Sequence, residues 1–458
     1  MTVHVLRVLC GRIAEGEFGM RTAVKGMIWF GAYLALVGAP LIFAGIGVAD
    51  EHRGFWREFA VALGFVGLAM LGLQFVLVAR IKVLAAPFGE DALVHFHRYM
   101  GYAGTLFILA HPILLIVLVD PSYIERVNPL TAPWAGRFGT LSIVCLLVVI
   151  ATSAWRLALR ISYEVWQGIH LVLSTVAIVA AVAHVEMIHH YVNHPLKRGL
   201  WIVMSAAFLM IFLWVRVIRP IIRMRRPWEI VSVHRERGGV NTITMRPAGH
   251  RGFTFAPGQF GWLSVRRSPF ALTQHPFSFA SNGDDASALQ MSVKELGDFT
   301  RTVSSIAPGT RAYLDGPHGV FTPDRYSGPG FVFIAGGVGI VPLMSMLRTF
   351  AARGERRPCH LFFGVNRIED ATFDEELETL TSRLSLTVTY VVSDPPDDWT
   401  GERGHITAET LRRHLPAGHE GLQYFICGPG VMMDAMEDAL GALGVTDDRI
   451  HTERFNFV

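Results

Sequence analysis

The chain has 458 residues, 51% hydrophobic and only 17% charged, with a mean hydropathy of +0.37. An ordinary soluble domain carries about 25% charged residues, so a disordered chain, a collagen and a disulfide-rich secreted scaffold are excluded. Four cysteines (Cys10, Cys145, Cys359, Cys427) without C-x-x-C spacing point to no thiolate metal site, and a formal charge of +3 gives no reason to expect nucleic acid as a partner.

Six stretches lack Asp, Glu, Lys and Arg: 26–49, 59–79, 99–119, 138–155, 165–185 and 199–215. A helix rising about 1.5 Å per residue needs about 20 residues to cross about 30 Å of hydrocarbon, so the runs predict six membrane-spanning helices over 26–220. The first run is followed by no small-residue cleavage pattern and does not read as a removable signal peptide. Placing 1–25 in the cytoplasm puts fourteen basic residues on the inner side and six on the outer, from Arg53 to Arg198. The positive-inside rule favours that orientation, in a cell (inner) membrane with the C-terminal half cytoplasmic.

The third and fifth spans bring His97, His111, His170 and His184, each pair separated by 14 residues. Fourteen helical steps return to within about 40° of the start and advance about 21 Å, so each helix presents two imidazoles on one face. The two helices run in the same direction, which predicts His97 level with His170 and His111 level with His184. Imidazoles paired across a helix bundle are axial ligands for b-type haem, and histidine inside a membrane is costly enough to imply function. His95 stands 16 residues from His111 and points away, while His189, His190 and His194 fall in an outer loop. Pro112 is expected to bend its helix.

Beyond residue 227 short β-like runs alternate with turns: 229–234, 241–246, 261–265 and 289–296, then 331–335, 360–365, 386–392 and 424–428 separated by helices. This predicts a small β-barrel over 227–325 and a Rossmann-like α/β domain over 326–458. Within the barrel, His275-Pro276-Phe277-Ser278 offers an apolar slot for a flavin and a hydroxyl for its N5. The turn Gly297-Asp298-Phe299-Thr300 is suited to open a helix toward a pyrophosphate, and DGPHG (315–319) reads as a turn closing the barrel. In the α/β domain a strand, a turn with Gly336, Gly337 and Gly339, and a helix with Pro342 in its first turn form a phosphate-binding unit. Cys427, Gly428 and Pro429 end a second strand at the same sheet edge. Arg367 follows a third and is a candidate for a ribose phosphate.

The order HPFSFAS, GDFT, DGPHG, AGGVGIVP, CGPG and a terminal Glu-x-Phe resembles the ferredoxin-reductase-type flavoenzymes. Joined to six spans with paired histidines, it resembles the ferric reductase and NADPH oxidase superfamily in a minimal, prokaryote-like form, over about residues 26–458. The resemblance implies that His275 to Ser278 contact FAD, that the AGGVGIVP turn takes the phosphates of NADPH (or NADH), and that Cys427 approaches the nicotinamide. It also implies that Phe455 shields the flavin, although Phe457 is a second aromatic in the tail. Catalytic roles then fall to Ser278, Cys427 and Phe455. Electrons are expected to pass from NADPH through FAD to an inner haem (His97, His170) and an outer haem (His111, His184). They then leave to dioxygen, giving superoxide, or alternatively to a ferric chelate or a protein partner. No EF-hand precedes the first span, so the calcium-regulated oxidases are not matched.

Overall fold

The computed structural model describes residues 17–45, 54–188, 190–192, 194–265, 268–271 and 274–454. The chain divides into two compact units, Val24–Arg219 and the part from Pro220 onward.

The first unit is helical: α1 (Glu17–Gly45), α2 (Phe55–Leu77), α3 (Glu90–Leu114), α4 (Trp134–Ala154), α5 (Tyr163–Ile188) and α6 (Pro195–Leu213). Among the described residues, six helices are long and apolar enough to cross a membrane, and each covers most of one of the six uncharged runs. Apolar side chains such as Leu106, Val172 and Val203 are more than half exposed, a surface that suits hydrocarbon and not water. The helices pack α2 against α3 and α4 against α5. Small residues permit the approach: a Cβ on Gly67 of α2 would lie 3.0 Å from the Gly104 carbonyl of α3, the close backbone contact that membrane helices use in place of hydrophobic attraction.

Helix α3 begins nine residues before its uncharged run. Gly89, at φ 86, precedes it, and Glu90 and Asp91 occupy the first turn, where carboxylates suit the positive end of the helix dipole. His97 therefore lies well inside the helix. Pro112 has no N–H to give, and the helix soon widens into a π turn at Leu115–Val119. A second π turn, Trp214–Ile218, follows α6 and leads into α7 (Arg219–Met224).

The second unit holds two six-stranded sheets. Strands β1 (Trp228–Arg235), β2 (Val240–Pro247), β3 (Phe260–Val265), β4 (His275–Ser278), β5 (Leu289–Lys294) and β6 (Arg311–His318) are antiparallel in the order β4-β3-β6-β1-β2-β5. An antiparallel bridge between Phe279 and Met291 brings the two edges together, so the sheet curls into a barrel around Ile230, Ile243, Met245, Leu263 and Phe279. DGPHG is not the turn expected from its glycines and proline. Asp315 to His318 continue β6 through a cis Gly316–Pro317 bond, and the chain turns at Gly319.

The second sheet contains β7 (Phe331–Gly336), β8 (Cys359–Val365), β9 (Leu386–Val392), β10 (Glu402–Arg403), β11 (Gln423–Cys427) and β12 (Ile450–Thr452). Its order is β10-β9-β8-β7-β11-β12, with every pairing parallel. Helices α8 (Ile340–Arg353), α9 (Asp374–Thr381), α10 (Ala408–His414) and α11 (Gly430–Ala442) alternate with the strands. Strand order reverses between β7 and β11, and the crevice outside their carboxyl ends is where such sheets bind nucleotides. Phe331, Phe333, Phe363 and Phe425 are fully buried in this core, each contributing about 1.5–3 kcal/mol relative to exposure.

One face of α8 is stitched to the barrel segment that follows β4. Ser345 Oγ donates to the Ser281 carbonyl at 2.8 Å, and Thr349 Oγ1 accepts from Gly283 N–H at 2.9 Å. Arg348 donates to the Ala280 carbonyl (2.7 Å), to Gln290 Oε1 (2.9 Å) and to Glu376 of α9 (2.7 Å). Arg353 pairs with both Asp284 and Asp324. These residues recur at helical spacing, so a single face carries the whole seam. Replacing Arg348 by Met leaves a half-buried Glu376 and a buried carbonyl without their partner. The expected loss is about 3 kcal/mol, read as an earlier thermal transition of this unit in the full chain; an unchanged transition contradicts the assigned seam.

Candidate functional site

In the helical unit, α3 and α5 bring the four predicted histidines into two facing pairs. The His97 and His170 ring centroids are 6.2 Å apart, and those of His111 and His184 are 6.4 Å apart. A metal–imidazole bond is about 2.0–2.1 Å and a ring nitrogen lies roughly 1.1 Å from its centroid, so one metal between two imidazoles sets the centroids about 6.3 Å apart. Both pairs match that spacing. His95 instead directs Nδ1 to the Asp91 carbonyl of its own helix at 2.9 Å.

The Nδ1 atoms of the four histidines are engaged. His111 Nδ1 donates to the Ala60 carbonyl at 2.9 Å and His184 Nδ1 to the Ala135 carbonyl at 2.7 Å; a carbonyl can only accept, so both rings carry their proton on Nδ1. His170 Nδ1 lies 3.3 Å from Ser153 Oγ, and His97 Nδ1 lies 2.6 Å from one end of the Gln74 carboxamide. In His111 and His184 the proton on Nδ1 leaves Nε2 as the nitrogen for a ligand. Two glycines make room for the outer pair: a Cβ on Gly64 would stand 3.2 Å from the His111 ring and one on Gly139 would stand 2.9 Å from His184 Nδ1. Among the described residues of this unit three buried polar atoms, Tyr33 Oη, Arg57 Nε and Gln167 Oε1, have no hydrogen-bond partner. Tyr33 packs edge-on against Phe96, beside His97, and Gln167 lies one turn before His170. Among the described residues no three His, Cys, Asp or Glu side chains converge on a metal position, so each pair offers two protein ligands.

In the second unit, His275 stacks on Phe299 at 4.0 Å and 9°, and Phe277 lies parallel to Phe299 at 6.0 Å. The result is a flat aromatic step next to the buried Ser278, which pairs with Phe260 across β3. Asp298–Arg301 form one helical turn after Gly297. Thr300 Oγ1 accepts from the Gly297 and Leu296 amides at 2.8 and 2.9 Å, so its hydroxyl shapes that turn.

At the switch point the two strand-end turns touch. A Cβ on Gly339 would stand 2.1 Å from the Cys427 carbonyl, and one on Gly428 would stand 3.1 Å from Gly336 Cα. Glycine is required at both for steric reasons, and Gly337 adopts φ +53. Pro342 is buried in the first turn of α8, and Pro429 caps α11. The Cys427 thiol is fully buried, and burial pushes it well above its usual range, so it stays a neutral thiol. Arg367 is exposed just past the carboxyl end of β8, with Asp370 3.5 Å away. Phe455 and Phe457 lie outside the described residues. The preceding Arg454 is pinned to α11 through Asp434 and Glu437.

One cation was not anticipated. Lys294, at the end of β5, brings Nζ within 4.0 Å of the position a Cβ would take on Gly337. In the sequence it is one more polar residue of an alternating strand.

Comparison with known proteins agrees with these elements. Family models described as a ferric reductase like transmembrane component, an FAD-binding domain and an oxidoreductase NAD-binding domain match residues 63–181, 227–319 and 333–438. The chain belongs to the ferric reductase and NADPH oxidase superfamily. It is a multi-pass membrane oxidoreductase of the NAD(P)H–FAD type. Ferredoxin–NADP reductase B of Sorangium cellulosum is 30% identical over 243 residues, covering 50% of this chain and 98% of that protein. The reductase component of propane 2-monooxygenase from Rhodococcus jostii is 29% identical over 47% of this chain, and NADH-cytochrome b5 reductase 1 of Aspergillus terreus is 30% identical over 37%. The chain spans 59% and 60% of the length of those two relatives. Among solved structures, a cytochrome P450 reductase of Amycolatopsis is similar with a TM-score of 0.45 at 26% identity, covering 50% of this chain and 69% of that one. A flavohemoglobin of Malassezia yamatoensis reaches 0.46 at 17% identity, covering 88% and 96%.

Lys294 tests the nucleotide site. A charged hydrogen bond to phosphate is worth about 1.5–3 kcal/mol, so Lys294→Ala is expected to raise KM for the nicotinamide nucleotide about tenfold or more with kcat little changed. An unaltered KM removes Lys294 from the site.

Proposed function

We propose that the chain carries electrons from cytoplasmic NADPH across the membrane to dioxygen, giving superoxide, by way of FAD and two b-type haems. The observation that supports the haem half is the pair of imidazole–imidazole spacings, 6.2 and 6.4 Å, with the Nδ1 atoms already engaged. Bound FAD splits a two-electron hydride into single electrons, and haem carries them one at a time.

The chain's own residues do the rest. Nε2 of His97 and His170 would ligate the inner iron, and Nε2 of His111 and His184 the outer one; porphyrin nitrogens would complete each coordination shell. The Ala60 and Ala135 carbonyls orient the outer rings, and Gly64 and Gly139 leave them space. In the cytoplasmic half, the aromatic step of His275, Phe277 and Phe299 offers a face for FAD, and Ser278 offers a hydroxyl to its N5. Gly297, Asp298 and Thr300 shape a turn for its pyrophosphate. The turns at Gly336–Gly339 and Cys427–Pro429 receive the dinucleotide, with Pro342 pre-setting the first turn of α8. The exposed Arg367 beside β8 supports NADPH over NADH, because a guanidinium suits a 2′-phosphate. Phe455 is the aromatic assigned to cover the flavin. The excess of basic residues on the inner segments supports a cytoplasmic dehydrogenase half in the cell membrane.

A hydride carries two electrons, so purified protein supplied with FAD is expected to release about two superoxide per NADPH consumed, measured as cytochrome c reduction sensitive to superoxide dismutase. Turnover in argon that requires ferric citrate, with little superoxide in air, would contradict dioxygen as the acceptor. In His111→Ala, NADPH still bleaches the flavin while superoxide output falls to background. Undiminished output in that variant would break the assigned route.

A further inference from the structure

The two histidine pairs are held differently. Outer rings His111 and His184 donate to main-chain carbonyls, which no side-chain substitution can remove. Inner rings His97 and His170 meet side chains, Gln74 and Ser153. These two side chains are not equivalent.

A carboxamide can present either end. The Gln74 end nearest His97 Nδ1 is also 3.1 Å from the His97 carbonyl, and the other end is 3.1 Å from Gly101 N–H. The His97 carbonyl can only accept and the Gly101 N–H can only donate, so the NH2 end faces His97 and donates to its Nδ1. Gln74 therefore meets Nδ1 of His97 as a donor, and that nitrogen accepts.

Ser153 meets its histidine in the opposite sense. Its hydroxyl proton goes to the Val149 carbonyl at 2.7 Å, one turn back on α4. One lone pair is taken by Trp166 Nε1–H, which donates at 3.2 Å from the start of α5. A serine hydroxyl has one proton and two lone pairs, so the remaining lone pair accepts from His170 at 3.3 Å. His170 must then carry its proton on Nδ1, which leaves its Nε2 as a lone pair. The Trp166 indole, whose centroid lies 5.3 Å from that of His170, completes a Trp166–Ser153–His170 unit.

We propose that Ser153 is a positioning residue that fixes the His170 tautomer and sets the reduction potential of the inner site independently of the outer one. This rests on the bis-haem reading above. An acceptor on Nδ1 makes imidazole a stronger donor to iron and favours the ferric form, so removing it raises the potential. Trp166 competes for the same oxygen. Its removal strengthens the His170 contact and moves the potential the opposite way.

The test is a spectroelectrochemical titration of full-length, haem-loaded protein, in which wild type gives two one-electron waves. In Ser153→Ala one wave is expected to shift toward easier reduction by about tenfold in the ferric–ferrous equilibrium, about 59 mV for one electron, with the other wave unmoved. Ser153→Thr, which keeps the hydroxyl, restores it. Trp166→Phe shifts the same wave in the opposite sense by less than tenfold. If Ser153→Ala loses haem, the Thr and Phe variants decide by those outcomes. Two haems bound with neither wave displaced, or both displaced equally, overturns the role of Ser153 alone. Wild-type protein without a low-spin haem signal overturns the bis-haem reading and this inference with it.

Discussion

An imidazole has two nitrogens, and whatever occupies one decides what the other can do. In the helical unit the Nδ1 atoms of four histidines are engaged by neighbours, and the rings stand in two pairs whose centroids have the spacing of a metal-bridged pair. Burying a polar ring among apolar helices is costly without partners, and carbonyls of α2 and α4 supply them for the outer pair. Glycines at Gly64 and Gly139 let those helices come close enough to do so. The engagement of α2 with α3 and of α4 with α5 is thus both packing and the orientation of these rings.

The second unit solves a different problem, that of holding two nucleotide sites in a fixed relation. Its nucleotide turn sits where strand order reverses between β7 and β11, with the Gly339 and Cys427 backbones in contact. The helix that begins at that turn is the one whose outer face is sewn to residues 280–284, directly after His275 to Ser278. Hydride transfer is steeply sensitive to distance and orientation. A single helix therefore couples the glycine turn at Gly336–Gly339 to the segment that follows β4, and the charged groups of that seam fix the register of one sheet on the other.

Much of this is legible in the sequence because it is periodic. Six uncharged runs of spanning length, a 14-residue interval repeated on two helices, and eight apolar strands are local signals that survive without neighbours. The structure keeps all of them. What is not legible is what depends on a second segment. The strand β4 is hidden behind a proline and four residues of length, and β6 behind Gly316 and Pro317, whose composition reads as a turn. Gly64, Gly139, Gln74 and Ser153 are unremarkable residues in apolar helices. Each becomes informative only when a histidine from another helix is brought against it. Lys294 is likewise an ordinary strand-end lysine until the Gly337 turn arrives beside it.

The central claim is that each facing histidine pair holds one haem. The most direct measurement is the haem-to-polypeptide ratio of the purified full-length protein, taken from its pyridine haemochrome, together with the reduced-minus-oxidised spectrum. The account predicts two b-type haems per chain, both low-spin. A single haem, a high-spin signal or none at all would contradict it.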